Sequence, residues 1–159
     1  MRDVLKILEQ NARALPEDIA IRTGRTTKEV EDGILDLEKN GVIRRYKTVI
    51  DWERYGDEKV YAYIDVSVTP QRGAGYDDIA KRIYRYPEVR DVCLVSGGHD
   101  LRVVVIGAGI KEVANFVAEK LATLENVTAT NTHFLLKRYK EDGDVFVETN
   151  SDARLMVSP

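Results

Sequence analysis

The sequence predicts an α+β protein of two domains, and three observations predict it. Residues 60–69 alternate strictly: Val60, Ala62, Ile64, Val66 and Val68 point one way, while Tyr61, Tyr63, Asp65, Ser67 and Thr69 point the other. That is the period of a strand with one buried face. An internal echo follows, because Ile79, Ile83, Tyr86 and Val89 recur 38 residues later as Val117, Leu121, Leu124 and Val127. Two strand–helix–strand units in succession describe a ferredoxin-like βαββαβ sandwich over residues 60–140. The first fifty residues carry helical spacings between turn signals instead, so a helical module precedes the sandwich.

In that module, Val4, Ile7 and Leu8 give a short amphipathic helix over Asp3 to Asn11, with Asp3 as the candidate N-cap. Pro16 sits at the first turn of a second helix, where a missing N–H does no harm. Ile19 and Ala20 are its apolar face, and it stops at Gly24. Thr26 is expected to cap a third helix, with Glu29 completing a capping box. That helix shows Val30, Ile34 and Leu37 at helical spacing and ends at Asn40 and Gly41. Gly33 inside it costs about 1 kcal/mol relative to Ala. Residues 42–50 read as a basic strand. Three short helices followed by such a strand is the layout of a winged helix-turn-helix over residues 1–50, with a plain three-helix packing module as the alternative.

Residues 51–59 read as a linker in which Trp52 and Tyr55 anchor a short strand. Beyond it, a helix over Tyr76 to Tyr86 is stopped by Pro87, and strands are expected over Val89 to Ser96 and Leu101 to Ile106. A helix over Ile110 to Leu124 and a strand over Val127 to Leu136 complete the second unit. The helices would cover one face of an antiparallel sheet. The other face would keep tyrosines, threonines and valines, too apolar for water, and so invite a second copy of the chain. The stretches Gly73 to Gly75 and Gly107 to Gly109 lie between strand and helix and read as turns. Residues 141–159 form a tail. Val145 to Val147 suit one more short strand, and Leu155 to Val157 make an apolar tip that either docks on a neighbouring subunit or frays.

Composition narrows the function. Apolar content of 43% and charged content of 32% are those of a globular protein, and no apolar run approaches the ~20 residues of a membrane helix. Arg2, Asp3, Lys6 and Glu9 interrupt any signal core at the N-terminus. The lone Cys93 excludes an internal disulfide, fits a reducing cytoplasm and reads as a small buried hydrophobe. One cysteine with His99 and His133, 34 residues apart, gives no metal-ligand spacing, so neither a metal nor a cofactor is expected. No nucleophile elbow, phosphate-binding loop or dinucleotide fingerprint is present, and no catalytic residue is expected. The net charge of −3 does not suit a strongly basic nucleic-acid binder, but the charge is unevenly spread. The first fifty residues hold ten Lys/Arg against nine Asp/Glu, and the rest hold 14 against 18. A polyanion would meet the first third.

Taken together, Ile19-Ala20, Val30, Ile34 and the run Leu37-Glu38-Lys39-Asn40-Gly41-Val42-Ile43 resemble the helix-turn-helix of the Lrp/AsnC (feast/famine) transcriptional regulators. Tyr86-Pro87-Glu88-Val89 and Ser96-Gly97-Gly98-His99-Asp100-Leu101 resemble that family's later signatures, and the likeness runs over roughly residues 3–140. The resemblance implies a cytoplasmic bacterial or archaeal regulator, not an enzyme, that binds double-stranded DNA. It also implies dimers formed through the sheet faces, assembled into an octamer or other ring, and a C-terminal domain that senses a small molecule, commonly an amino acid. Two alternatives use the same architecture. One is an enzyme like the siroheme decarboxylases, which would need histidine and arginine side chains converging on a porphyrin-sized cavity. The other is an adaptor that has lost its DNA affinity.

Within this resemblance the candidate DNA-binding residues are Arg22, Arg25, Thr26, Thr27 and Lys28 around the N-terminus of the third helix, and Arg44, Arg45 and Lys47 on the following strand. The helix departs from the family pattern, since Glu31, Asp32 and Asp36 stand where arginines are usual. Binding is therefore expected to depend on assembly, through avidity, and to be steeply salt-sensitive. The candidate effector residues are Gly97, Gly98, His99 and Asp100, with Thr130 and Thr132 on the last strand. The glycines would offer N–H groups to a carboxylate and Asp100 a counter-charge to an ammonium. A plain hairpin turn explains the same loop without a ligand.

Overall fold

The structure, a computed structural model, describes residues 1–70 and 75–147. Its contacts divide the chain into two units, Met1–Ile50 and a second that begins at Asp51. The apolar tip at Leu155 to Val157 and the turn at Gly73 and Ala74 lie outside the described residues.

The first unit holds helices α1 (Arg2–Gln10), α2 (Pro16–Thr23) and α3 (Thr27–Lys39). Their apolar faces meet in one small core of Val4, Ile7, Leu8, Ile19, Ala20 and Val30, with Ala14, Ile34 and Ile43 packed on it. Pro16 is at the first turn of α2, and Gly24 ends that helix with φ of 66°, a left-handed cap that suits glycine. The capping box on α3 is formed as the spacing predicts. Asp3 is not a cap: α1 begins one residue earlier, and the Asp3 carboxylate turns to the N-terminal amine and to Arg25. Gly33 carries no φ strain and is met only by the flexible end of a side chain. The Met1 side chain lies against it, and a Cβ there would meet the Met1 terminal methyl at 2.1 Å.

Residues 42–50 form no strand among the described residues. The Val42 and Ile43 N–H groups donate to the Leu37 carbonyl, and the Tyr46 hydroxyl donates to Glu38 at 2.8 Å. After that the backbone runs exposed, with Val49 and Ile50 open to solvent. Strand-like residues need a neighbouring backbone to become a strand, and this unit offers none.

In the second unit the linker is a short helix rather than a strand, α4 (Trp52–Tyr55), capped by the Asp51 side chain and closed by Gly56. A four-stranded antiparallel sheet follows in the order β2-β3-β1-β4. Its strands are β1 (Val60–Val68), β2 (Val89–Leu94), β3 (Leu101–Gly107) and β4 (Val127–Phe134). Helices α5 (Asp77–Ile83) and α6 (Ile110–Phe116) supply Ile79, Ile83, Val113 and Phe116 to the core. The α6 axis continues through a π-helical turn, Val117–Leu121. Along β1, Ala62, Ile64, Val66 and Val68 are buried while Tyr61, Tyr63, Asp65 and Ser67 are only half-buried, the alternation read from the sequence.

The internal echo is a real structural repeat. The Tyr86 N–H donates to the Ile83 carbonyl and Val89 N–H to Tyr86, and the Leu124 N–H donates to Leu121 and Val127 N–H to Leu124. All eight residues of the echo lie in the core or against it. One detail differs from expectation. Cys93 is exposed, because it pairs with Arg102 on the uncovered face of the sheet. Thr130 and Thr132 pair with Val66 and Ile64, so register places them on the helix-covered side and not on the open face. A small hairpin of β5 (Lys140–Glu141) and β6 (Asp144–Val145) ends the described chain, and Arg138 stacks between Tyr61 and Phe146 beside it.

Candidate nucleic-acid interface and effector site

The turn from α2 into α3 is built by its own residues. The Arg25 guanidinium donates to the Asp3 carboxylate and to the Thr23 carbonyl, tying the start of α1 to this turn. That hydrogen bond holds the Asp3 carboxyl down at about 2. Thr26 Oγ1 accepts from the Glu29 N–H at 3.2 Å, and the Thr26 N–H and hydroxyl both donate to Glu29 Oε2 at 2.8 Å. The Thr26 N–H bond is the main reason the Glu29 carboxyl sits below its ordinary range. Arg25 and Thr26 thus serve the fold first. Thr27 opens α3, and the exposed Lys28 pairs with Asp32 at 3.3 Å. Arg22 is exposed in the last turn of α2, and Arg44, Arg45 and Lys47 are exposed on the extended segment. Glu31, Asp32 and Asp36 are exposed on α3, so the acidic face of that helix reaches solvent.

The six effector candidates do not come together as one pocket. Gly97 adopts φ of 143°, and nothing lies within 4 Å of a Cβ built at Gly97 or Gly98, so this turn is open to solvent. Asp100 faces inward. Its Oδ2 accepts from the Val68 N–H at 2.9 Å and its Oδ1 from the Tyr76 hydroxyl at 3.1 Å. That bond to Asp100 pushes the Tyr76 phenol upward. Asp100 is therefore a brace between the loop, β1 and the start of α5. His99 turns the other way, toward the open sheet face. Thr130 and Thr132 stand on the opposite side of β4 from that face.

The open face holds a charged cluster that sequence reasoning missed. Asp65, only 18% exposed, receives Arg102 Nε and Nη2 at 3.3 Å, His133 Nε2 at 3.3 Å and His99 Nε2 at 3.0 Å. The His99 nitrogen is close enough for a charge contact but off the line of a hydrogen bond. His133 Nε2 also lies 3.1 Å from Asn131 Nδ2, so its tautomer decides which neighbour it serves. The two histidines, far apart in sequence, meet because register sets Asp65 beside Arg102 on β3 and Asn131 on β4. The alternation of β1 already put Asp65 on this face; only its partners needed the register. Among the described residues no group of three or more His, Cys, Asp or Glu is arranged to hold a metal ion, and no helix is long and apolar enough to cross a membrane.

Comparison with known proteins agrees with this architecture. The Lrp/AsnC ligand binding domain model matches residues 61–145. The chain is 49% identical over 158 residues to an uncharacterised HTH-type transcriptional regulator, YugG, of Bacillus subtilis, spanning 99% of this chain and 95% of that one. It is 27% identical over 138 residues to the leucine-responsive regulatory protein of Rhizobium meliloti, covering 87% and 88% of the two chains. Among solved structures, a feast or famine regulatory protein from M. tuberculosis complexed with L-methionine superposes with a TM-score of 0.73 at 23% identity, covering 89% of this chain and 92% of that one. A Neisseria meningitidis transcriptional regulator in complex with L-Met gives 0.72 at 22%, covering 87% and 89%. These relatives are named as regulators, not as enzymes, and the decarboxylase alternative is set aside. The chain belongs to the Lrp/AsnC family of HTH-type transcriptional regulators.

Proposed function

We propose that residues 1–50 bind double-stranded DNA and that the sandwich over residues 60–140 joins copies of the chain and senses an amino acid, which tunes DNA binding. The observation that carries the DNA half is the helix–turn–helix itself: α2, a left-handed Gly24 and a boxed, solvent-facing N-terminus on α3, with Arg22, Thr27 and Lys28 around it. A helix N-terminus with N–H groups and cations is a natural seat for phosphates and base edges. The exposed Glu31, Asp32 and Asp36 weaken a single module, so affinity comes from several modules held in one oligomer.

A second copy of the chain suits the open sheet face. Tyr61, Tyr63, Val104 and Ile106 lie there half-buried, and Val49 and Ile50 are exposed just before the second unit. A dimer, assembled further into an octamer or other ring, would cover both. Such a regulator works in the cytoplasm, where its DNA is. The amino-acid half is supported by two neighbours of the same fold that carry L-methionine in their structures. In this chain the exposed Gly97 and Gly98 backbone can meet a carboxylate, whereas both Asp100 oxygens already have donors.

Fluorescence anisotropy on pooled upstream DNA, at low and physiological salt and with a mixture of amino acids, tests this. Saturable, salt-steep binding that shifts with the amino acids is expected. An intact oligomer that leaves DNA unbound at low salt would overturn the DNA half and favour the adaptor alternative.

A further inference from the structure

Half of the cations of the first unit gather around one groove. A hollow of about 640 Å³ lies between α1 and residues 42–47, with Arg2 and Lys6 on one wall and Arg44, Arg45 and Lys47 on the other. Glu9 is the one acid at its rim, although the unit holds nearly as many acids as bases. Leu5 and Ile43 line its floor. Among the described residues none of the five cations has an ion-pair partner, whereas Arg25 and Lys28 both do. Acids of the unit gather elsewhere, three of them on the exposed side of α3 at Glu31, Asp32 and Asp36, and Glu38 reaches the groove only as the acceptor of the Tyr46 hydroxyl. Uncompensated like charges brought together on a folded surface repel one another, and an anionic ligand relieves that repulsion.

We propose that this groove seats the sugar–phosphate backbone of duplex DNA, with Arg2 and Lys6 of α1 joining Arg44, Arg45 and Lys47 as phosphate contacts. The proposal rests on the DNA-binding reading and extends it to a helix outside the helix–turn–helix pair. Three features favour duplex DNA over an acidic peptide. Arg2 and Lys6 stand one turn apart, about 6 Å along α1, so each can take its own phosphate. Arg45 and Lys47, two residues apart, can stand up to about 7 Å from one another, which allows that spacing on the facing wall. The α1 wall of the seat is also tied to the N-terminus of α3. The Asp3–Arg25 ion pair fixes the first turn of α1 beside the residue just before the Thr26 cap, and Met1 lies on Gly33 of α3. A strand following the groove would therefore arrive where Thr27 and Lys28 are exposed or half-exposed. Phosphate contacts of this kind position a protein on the duplex without reading its sequence, which suits a recognition helix whose outer face is acidic.

The test compares wild-type oligomer, an Arg2→Gln/Lys6→Gln variant and an Arg13→Gln/Lys39→Gln control, each by anisotropy on the same duplex from about 50 to 200 mM salt. Glutamine keeps helix propensity, and both pairs are exposed, so circular dichroism and oligomer mass should match the wild type. The slope of log affinity against log salt is expected to fall by about 1.8 for each module engaged in Arg2→Gln/Lys6→Gln, so the wild-type advantage shrinks about tenfold or more across that range. The control should leave the slope near the wild-type value. Equal slopes for all three proteins would overturn the seat while leaving DNA binding itself standing. An equal drop in the control would also overturn it, since net charge alone would then account for the effect. Wild type that captures polyglutamate through Arg2 and Lys6 but ignores duplex DNA would overturn both this proposal and the reading beneath it.

Discussion

Asp3 and Asp100 are both carboxylates that the fold ties to partners distant in sequence, and each makes a test at the scale of one residue. Asp3 reads as a cap because it precedes an apolar run, but its carboxyl answers Arg25, 22 residues away. Its value in the folded chain is lowered from 3.8 to about 2 by that hydrogen bond. A lowered carboxyl contributes stability that is present above the unfolded value and lost as pH falls through the folded one. Asp3→Asn should therefore melt slightly earlier than wild type at neutral pH, and the two melting curves should converge as pH drops from about 4 to 2. A difference that is undiminished at pH 2 would mean the ion pair is not its source. Asp100 gives the sharper test, because it discriminates a brace from a ligand. Removing it leaves the N–H of the buried Val68 and the Tyr76 hydroxyl without their acceptor. Asp100→Ala should cost about 1–3 kcal/mol in denaturant unfolding of the sandwich. The Tyr76 phenol, pushed up by Asp100, should return toward its ordinary range in an ultraviolet titration. Unchanged stability with a lost amino-acid response would instead make Asp100 a ligand.

Elements were legible where their cause is local and failed where it is not. The strand at Val60–Val68, the boxed start of α3 and the proline and glycine bounds of α2 all follow from side chains within four residues of one another. The segment 42–50 has the composition of a strand and lacks a neighbour to pair with, which composition cannot reveal. Cys93 was misplaced for a related reason: the face it takes depends on register with β3. The charged cluster on Asp65 needed the same register and was missed. The end of α6 is another long-range product. Its π-helical turn brings Lys120 onto Glu88 at the start of β2 and over the rings of Tyr86 and Phe116. The Lys120 hydrogen bond holds the Glu88 carboxyl low, and Glu88 Oε2 is buried without a partner. Lys120→Met should cost about 1 kcal/mol, as it strands a mostly buried carboxylate. Adding Glu88→Gln should recover part of that loss, and a double-mutant cycle that sums to zero would deny any coupling across this element.

For the whole molecule, each feature that looks unfinished in one chain implies another. The sheet carries helices on one face only, and a lone acidic recognition helix is poorly placed to hold DNA. The proposed assembly would answer both, because burying the open face would join copies and joined copies would multiply weak modules. Val104 and Ile106 lie near the middle of that face, on β3, beside Tyr63 and Tyr61 of β1. Val104 is partly open in the single chain, so a glutamate there can be solvated without disturbing the buried side of the sheet. Packed against another sheet, the same glutamate would be desolvated with no partner. Val104→Glu should then leave the circular dichroism of the fold unchanged while light scattering shows the mass falling toward the 18.0 kDa of one chain. DNA affinity should fall with it, by about a hundredfold or more, because only the linkage between modules has been lost. If the mass falls and affinity holds, each module binds DNA without help and the acidic face of α3 is no handicap. If the mass does not fall, the open face is not where the copies meet, and the exposed Val49 and Ile50 become the surface to mutate next.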